Sequence, residues 1–328
     1  MNSTVEIYVS NRVDLKNRYH LKNKIYIPIR CGAVDDADNF ENIAGDDTGD
    51  NISNKAKYYS ELSVQYWAWK NSDAQYVGLC HYRRFLDIFC KSNVLVNEYG
   101  LRQLPYLNEH TVKLLGLDDP KTLQEEIMEY DLIINESYKT ERIATQNGIG
   151  ARSVRELWEK ESRFIPTFLL DRVLELIKEK RPDVYNSAKL YLNGDKHRGY
   201  NCFIMRRDIF AKLNEFQFNI LGDIEKEILN TEYIEEQPRC LAYIGELLYG
   251  IYMHYEILNN NYKIKEVPLI LMVNTQNDFE ENNNIKFEIL KSDCWIILKR
   301  ICNIIIPFGT KRRNLIKKIY IKIKGEKK

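Results

Sequence analysis

Asp46–Phe85 reads DDTGDNISNKAKYYSELSVQYWAWKNSDAQYVGLCHYRRF, and this stretch predicts a polar loop, a helix and a buried strand. Residue types that cap helices are followed by apolar side chains at three- and four-residue spacing, from Tyr59 to Trp69. The apolar run Tyr76–Cys80 is short enough to be a strand buried on both faces. We therefore expect the chain to leave a sheet immediately before residue 81.

Three side chains that can carry positive charge, His81, Arg83 and Arg84, follow this predicted strand. In open α/β sheets, ligands bind at the carboxyl ends of the strands. Guanidinium groups stay charged and present paired N–H donors to phosphate oxygens, so the three side chains favour a diphosphate site. On an extended chain His81 and Arg83 share one face and Arg84 points to the other. The alternative is a solvated strand end that pairs with some of the 47 acidic residues.

The segments GDNIS, YWAWKN and GLCHYRRF within this stretch resemble the signature of a bacterial family found with capsular polysaccharide, exopolysaccharide and O-antigen synthesis. The similarity covers about residues 5–270 and includes Glu6–Ser10, Ile27–Ala33, Tyr200–Met205 and Gly245–Leu248. Members are regarded as glycosyltransferases with a GT-A-like fold, and some transfer galactofuranose. The resemblance implies transfer from a nucleotide diphosphate sugar, UDP-linked by preference, and leaves the sugar itself open.

The matched positions also imply two sets of binding residues. The set for the donor and its diphosphate comprises the two arginines together with Ser10, Asp47, Asp50, Asn51, Ser53 and Lys55. The set for the sugar or acceptor comprises Tyr59, Glu61, Tyr200, Asn201 and Arg239. The loop residues of the first set have a simpler alternative, because the same residue types cap a helix N-terminus.

The candidates for a catalytic role are Glu246 and His81. Glu246 lies in an apolar segment with helical spacing, where an unpaired carboxylate is costly to bury. It is either the structural partner of Arg239, about two helical turns earlier, or the base that removes a proton from an acceptor hydroxyl. Glu235 and Glu236 compete for the second role.

Many GT-A enzymes carry Asp-x-Asp where this chain has His-Tyr-Arg-Arg, and that motif holds a divalent metal on the diphosphate. Arginines can neutralise a leaving diphosphate in place of a metal. The sequence therefore predicts that no cofactor is required. A Mg or Mn site at Asp36, Asp38 or Asp46–Asp47 remains the alternative.

The order of predicted elements favours an α/β fold, a GT-A-like, mostly parallel sheet flanked by helices. Strands are predicted at Glu6–Ser10, Lys24–Ile29, Tyr76–Cys80, Asp131–Ile134, Tyr200–Met205 and Val267–Val273. Later helices are predicted at Ser153–Glu161, Thr167–Lys180, Ile209–Leu229 and Cys240–Leu258, and Cys90–Asp119 is expected to be irregular. Seven cysteines without paired spacing, and a start that lacks a signal-peptide pattern, indicate the cytosol.

The C-terminal segment differs from the rest of the chain in charge. Residues 294–328 contain eleven Lys and Arg against one acid, Glu326, whereas the remaining residues contain 37 basic and 46 acidic groups. Apolar residues among these cations are typical of a segment that lies on an anionic membrane surface, and they disfavour nucleic acid as the partner. We expect a GT-A-like domain at 1–275, a linker at 276–293 and a membrane-surface tail at 294–328.

Together these patterns predict a glycosyltransferase on the cytoplasmic face of the cell membrane, with a nucleotide-sugar donor and a lipid-linked oligosaccharide acceptor in surface polysaccharide synthesis. One alternative is a non-catalytic glycan-binding or scaffold subunit of a polysaccharide synthase, which needs no diphosphate cations. A second alternative is a hydrolase that uses His81 to cleave a nucleotide-sugar without an acceptor.

Overall fold

The computed structural model describes residues 4–15, 17–36, 38, 42–145, 148–229, 231–276, 285–306 and 310–316. Its strands are β1 (Val5–Arg12), β2 (Tyr26–Cys31), β3 (Tyr76–His81), β4 (Arg84–Leu86), β5 (Arg102–Tyr106), β6 (Leu132–Asn135), β7 (Tyr138–Lys139), β8 (Ala144–Thr145), β9 (Gly148–Ile149), β10 (Lys196–His197), β11 (Phe203–Arg206), β12 (Ile264–Val267) and β13 (Leu269–Asn274). Its helices are α1 (Ala56–Tyr59), α2 (Leu62–Asn71), α3 (Glu109–Leu115), α4 (Pro120–Met128), α5 (Val154–Lys160), α6 (Thr167–Lys180), α7 (Pro182–Asn193), α8 (Arg207–Ile228), α9 (Glu232–Glu236), α10 (Cys240–Asn259) and α11 (Ile285–Ile305). Short 3-10 turns occur at Ala33–Asp35, Ser53–Lys55 and Thr140–Arg142.

Within the described residues, a nine-stranded sheet is built around β3. β3 pairs in parallel with β1 on one side, and β1 pairs in parallel with β2. On its other side β3 pairs with β11, which continues to β6 and β12, while β4, β13 and β5 extend from the end of β3. β4 and β11 run antiparallel to β3, and the other strands of this sheet run parallel to it. The predicted α/β fold with a mostly parallel sheet is confirmed.

Hydrophobic cores cover both faces of the sheet, which explains why β3 reads as one continuous apolar run. Along β3, Val77 and Leu79 point to a core formed with α2, α6, α7, α8 and α10. Cys80 points to the second core, which α3 and α4 close. Between them, Gly78 leaves room for its neighbours, because a Cβ there would lie 3.0 Å from the side chains of Ile7 and Ile204.

The predicted helices at 153–161, 167–180, 209–229 and 240–258 are confirmed as α5, α6, α8 and α10, to within a few residues. The prediction that Cys90–Asp119 is irregular is wrong, because that stretch contains β5 and α3. Asn108 caps α3 by accepting from the Thr111 N–H, and Gly116 ends it at φ 72°. These are ordinary helix start and stop residues.

The helix predicted across residues 53–69 is broken in two. Ser60 has a φ of 49°, which ends α1 one turn after it begins, and α2 starts at Leu62. A positive φ is uncommon for a residue with a Cβ. The apolar spacing from Tyr59 to Trp69 gives no sign of this break.

The buried carboxylate of Asp46 ties the loop before α1 to the end of β2 and to α2. Asp46 is fully buried. Its oxygens accept from the backbone N–H groups of Gly32 and Ala33 at 3.0 Å and from the hydroxyls of Ser53 and Ser63. This carboxylate therefore stabilises the fold, although its acidic loop was a candidate metal site.

The C-terminal helix α11 packs on the sheet edge through one face. Asp293 accepts from the Leu95 N–H at 3.0 Å, Lys299 lies 2.9 Å from Glu98, and Ile296 is buried. Of the predicted linker, residues 277–284 lie outside the described residues, and 285–293 form the first half of this helix. The domain division itself stays a prediction. Among the described residues no helix is both long and apolar enough to cross a membrane.

Replacing Asp46 by alanine is expected to lower the free energy of unfolding by about 3 kcal/mol, because four donors lose their acceptor in a buried site. Chemical denaturation measures the change. Asp47→Ala is the matched control, since Asp47 is the exposed neighbour and its removal should change stability by less than about 0.5 kcal/mol. Equal effects of the two substitutions would contradict the structural role of Asp46.

Candidate active site

An open cleft of about 870 Å³ lies where β1, β2 and β3 end and faces α10. This volume is at the upper end for small-molecule sites. The predicted site residues that line it are Ser10, Glu61, His81, Arg83, Arg84, Tyr200, Arg239 and Glu246. The sequence therefore identified residues from five separate segments that the fold brings to one cleft.

The end of β3 is a tight hairpin, so the prediction that His81 and Arg84 point to opposite faces is wrong. β3 ends at His81, the chain turns at Tyr82 and Arg83, and Arg84 begins β4 opposite His81. Burial, followed by the positive charge of Arg84 and of other arginines, holds the pKa of His81 well below its ordinary value. His81 is therefore neutral at physiological pH, and its Nδ1 is buried with no hydrogen-bond partner among the described residues.

The cleft collects guanidinium groups from four parts of the chain: Arg12, Arg83, Arg84, Arg163 and Arg239. The Arg84 guanidinium lies 4.8 Å from the centre of the Tyr200 ring. Its Nε is buried and has no acceptor within the described part of the chain. A buried N–H without an acceptor is costly, which makes this position a strong one for a bound anion.

Glu246 projects from α10 into the same cleft and is half-buried. Burial raises its pKa to about 7, Glu61 adds to the shift, and Arg84 and the Tyr200 N–H oppose it. The structural pair of Arg239 with Glu246, which was one alternative, is not formed among the described residues; the Arg239 Nε donates instead to Ser60 Oγ at 3.0 Å. Glu246 is therefore a carboxyl group poised to exchange a proton near neutral pH.

The loop Gly199–Asn201 fixes this carboxylate in place. Tyr200 and Asn201 have φ angles of 75° and 44°, so two consecutive residues with side chains adopt the left-handed region. At Gly199 a Cβ would come within 2.4 Å of Glu246 Oε1, so any other residue there would displace this carboxylate. Such strain clusters at functional sites, where the surroundings hold the chain in one conformation. The strand that was predicted to begin at Tyr200 begins at Phe203, because residues 199–201 form this loop.

Just after the break at Ser60, Glu61 lines the cleft and is near enough to Glu246 to raise the pKa of that carboxyl. Glu61 Oε1 lies 3.5 Å from Asn201 Nδ2. Asn201 itself is buried, and its Oδ1 has no donor among the described residues. Glu61 and Asn201 thus form a polar pair beside Glu246, in which Glu61 lines the cleft and Asn201 is buried behind it.

The other predicted site residues lie outside the cleft lining: Asp47, Asp50, Asn51, Ser53, Lys55 and Tyr59, with Asn201 directly behind it. Lys55 and Tyr59 both contact Glu225, at 2.9 and 3.2 Å. Asn51 Oδ1 accepts from the Ser53 N–H at 3.1 Å, as in the capping alternative. Their contacts are structural, and binding roles for them stay predictions.

A wall of aromatic rings, which we call the aromatic row, lies along the cleft, and sequence reasoning missed all its members except Tyr200. Its members, in order from Arg84, are Tyr200, Tyr138, His197, Trp158, Tyr243 and Phe164. Neighbouring ring centres are 6.0, 5.4, 5.6, 6.4 and 4.3 Å apart. Helical aromatic residues such as Trp158 and Tyr243 look like core residues in a sequence, so no pattern pointed to them.

The acidic residues do not fit a metal at the end of β3. Within the described ranges, no group of three His, Cys, Asp or Glu side chains is arranged to hold a metal ion. Asp36 pairs with Arg30 at 2.7 Å, and Asp46 is occupied as described above. Metal independence of any reaction stays a prediction.

Comparisons with known proteins bear on both fold and site. Residues 7–257 match the family described as "Domain of unknown function (DUF4422)". A solved apo structure of WbbM, a bifunctional glycosyltransferase, is similar with a TM-score of 0.74 and 27% identity, over 86% of this chain and 48% of that one. The chain thus spans about half the length of that protein. The curated proteins give no significant match.

The raised pKa of Glu246 predicts a pH dependence of stability. Between the ordinary value of 4.5 and about 7, the folded chain keeps a proton that the unfolded chain has lost. The contribution of Glu246 to the free energy of unfolding therefore falls as pH rises through that window, and it stays low at higher pH. Glu246→Gln should remove this slope, so that the variant gains stability relative to wild type between pH 5 and 8. If the curves of Tm against pH are parallel for wild type and Glu246→Gln, the pKa of Glu246 is not raised by folding.

Proposed function

This chain belongs to the DUF4422 family, and we propose that it is a glycosyltransferase that takes its sugar from a UDP-linked donor. One observation carries the proposal: guanidinium groups and a carboxyl group with a pKa of about 7 share one cleft at the carboxyl ends of the strands. The similarity to a bifunctional glycosyltransferase at 27% identity supports the reaction class.

In this proposal the strand-end cations receive the donor diphosphate. Arg83 and Arg84 neutralise the charge that develops as the bond from the anomeric carbon to the diphosphate breaks. Neutral His81 supplies a ring nitrogen to the same ligand without adding charge. Because arginines occupy the position where a metal would act, the transfer requires no divalent cation.

Glu246 is the proposed general base. The acceptor hydroxyl oxygen attacks the anomeric carbon, the nucleotide diphosphate leaves, and the hydroxyl proton passes to the Glu246 carboxylate. A base is most effective when its pKa lies near the working pH, as here. Glu235 and Glu236 are exposed on α9 and do not line the cleft, which favours Glu246 among the carboxylates considered.

We further propose that the acceptor is a glycan linked to a lipid, extended at the cytoplasmic face of the membrane in surface polysaccharide synthesis. The outer face of α11 supports membrane association, because its apolar side chains are largely exposed: Phe287, Leu290, Leu298, Ile301 and Ile305. Exposed apolar surface of this kind marks interaction sites. The neighbouring cations of residues 294–328 suit anionic lipid headgroups.

Arg84→Ala is expected to reduce transfer about a hundredfold with the fold intact, because a preorganised contact to the leaving group is lost. The wild-type protein should gain thermal stability with UDP, and the variant should gain less. Arg152→Ala is the matched control, since the Arg152 side chain is 93% exposed and lies outside the cleft. EDTA should leave wild-type transfer intact.

Different results would point to the alternatives. Complete loss of activity in EDTA, reversed by Mg²⁺, would refute the replacement of a metal by arginine. Release of free sugar at an unchanged rate without acceptor would support the hydrolase. Absence of stabilisation by UDP, GDP and UDP-sugars at millimolar concentration would favour a scaffold subunit.

The membrane proposal is best tested with the full chain, because deleting residues from 294 onward would remove the buried side chain of Ile296. The variant Leu298→Ser/Ile301→Ser/Ile305→Ser removes exposed apolar groups and keeps the basic residues. Wild type should co-sediment with vesicles that contain phosphatidylserine and partly resist high salt, whereas the variant should be released by salt.

The matched control is Phe168→Ser/Leu190→Ser, which removes two side chains that are each 61% exposed elsewhere on the surface. This control should sediment like wild type. Transfer to a water-soluble acceptor should be unchanged in both variants. Equal sedimentation of all three proteins at high salt would show that α11 is not the anchor.

A further inference from the structure

Trp158 presents an unused hydrogen-bond donor at the cleft. The residue is 5% exposed and lines the cleft, and its Nε1 is buried with no acceptor among the described residues. Buried tryptophans usually find a partner for this N–H, and an unmade bond is costly. Trp67 is the contrasting case, since its Nε1 donates to Thr48 Oγ1 at 3.0 Å. The Trp158 N–H is therefore placed to be satisfied by a ligand.

His197, next in the aromatic row, is held in a defined orientation. It is buried, and its Nδ1 lies 2.7 Å from the hydroxyl of Tyr191. That hydroxyl also accepts from the Arg198 N–H at 3.0 Å and lies 3.1 Å from the Arg198 carbonyl oxygen, so its own proton goes either to His197 Nδ1 or to that carbonyl. His197 Nε2 is accordingly a donor in the first case and an acceptor in the second. Burial, with a smaller contribution from Arg198, lowers the pKa of His197 to about 3, so the ring is neutral.

The free nitrogen of His197 lies close to the proposed base. A Cβ built on Gly199 would be 3.1 Å from His197 Nε2 and 2.4 Å from Glu246 Oε1. The two atoms therefore flank the same glycine. When a hydroxyl group of a ligand is hydrogen-bonded to His197 Nε2, the adjacent atoms of that ligand lie beside the Glu246 carboxylate.

The outer part of the row is separated from the cations of the β3 hairpin. Arg84 contacts Tyr200, whereas Trp158, Tyr243 and Phe164 follow beyond Tyr138 and His197. Tyr243 and Phe164 are partly exposed and stack with centres 4.3 Å apart. Arg163 lies 4.3 Å from the centre of the Phe164 ring and pairs with Glu161 at 2.9 Å, and Arg239 lies 5.5 Å from the centre of the Tyr243 ring. This end therefore combines ring surface with polar side chains of both charges, which suits the hydroxyl groups and the C–H surface of a sugar ring.

We propose that Trp158, His197, Tyr243 and Phe164 form the subsite for a hexose ring of the acceptor glycan. The Trp158 N–H donates to one of its oxygens, His197 Nε2 forms a hydrogen bond with one of its hydroxyl groups, and the Tyr243 and Phe164 rings contact its apolar C–H surface. Binding there orients one hydroxyl toward Glu246. This inference rests on the proposed function and specifies which end of the cleft takes the acceptor.

The test measures binding of a panel of neutral methyl hexosides to the UDP-bound full chain by ligand-observed NMR. Trp158→Phe keeps the ring and removes the N–H, and it should weaken the best-bound hexoside about tenfold, the effect of one lost hydrogen bond. His197→Asn should weaken the same hexoside. Affinity for UDP should be unchanged in both variants. Trp67→Phe is the matched control and should bind both ligands like wild type.

The outcomes separate this inference from the proposed function. If UDP fails to bind wild type, the proposed function itself fails. If UDP binds but no methyl hexoside binds at millimolar concentration, or if Trp158→Phe binds the hexoside like wild type, the subsite is refuted. Weaker UDP binding in Trp158→Phe with unchanged hexoside binding would assign the aromatic row to the donor and overturn the proposal.

Discussion

The Asp46 carboxylate is the constraint on which the site depends. It accepts from donors on three segments: the turn after β2, the loop before α1, and α2. Both Gly32, in that turn, and Glu61, at the start of α2, line the cleft. Asp46 does not line the cleft, but its hydrogen bonds set the distance between two of the cleft walls. An acidic residue at this position is needed because backbone and hydroxyl donors converge there without another acceptor.

The cleft lining contains six cationic and five acidic side chains, but they are unevenly placed. Arg12 pairs with Asp14 and Arg163 with Glu161, whereas Arg83 and Arg84 at the β3 hairpin have no ion-pair partner among the described residues. Burial, followed by the charge of these arginines, lowers the pKa of His81 at the same hairpin. Like charges held together in a partly dehydrated space raise the free energy of the empty site. An anionic ligand relieves this repulsion, so the arrangement favours a ligand with more than one negative charge. The Glu246 carboxyl, whose pKa is raised, reduces the counter-charge further whenever it is protonated.

The sequence predicted the sheet better than the site. Strands such as Tyr76–Cys80 were recognisable because burial on both faces requires a continuous apolar run. The hairpin at Tyr82 and Arg83 was not, because it contains no glycine, proline or asparagine to mark a turn. Nor was the break at Ser60, since positive φ there is imposed by tertiary contacts. The aromatic row was missed for a third reason: Trp158 lies among buried neighbours, and only its N–H distinguishes it from a core residue.

The position of β3 has a consequence for the order in which the chain folds. β3 pairs with β1 from an earlier segment, but its other neighbour, β11, comes from residues 203–206. Long-range pairing of this kind forms slowly, because a large loop must close before any contact rewards it. Until β11 arrives, one edge of the central strand is open to pairing with other chains, and the loop that fixes Glu246 has no anchor. Because Phe203, Ile204 and Met205 are also buried in the finished fold, substitutions in β11 should lower both its stability and the yield of soluble protein during synthesis.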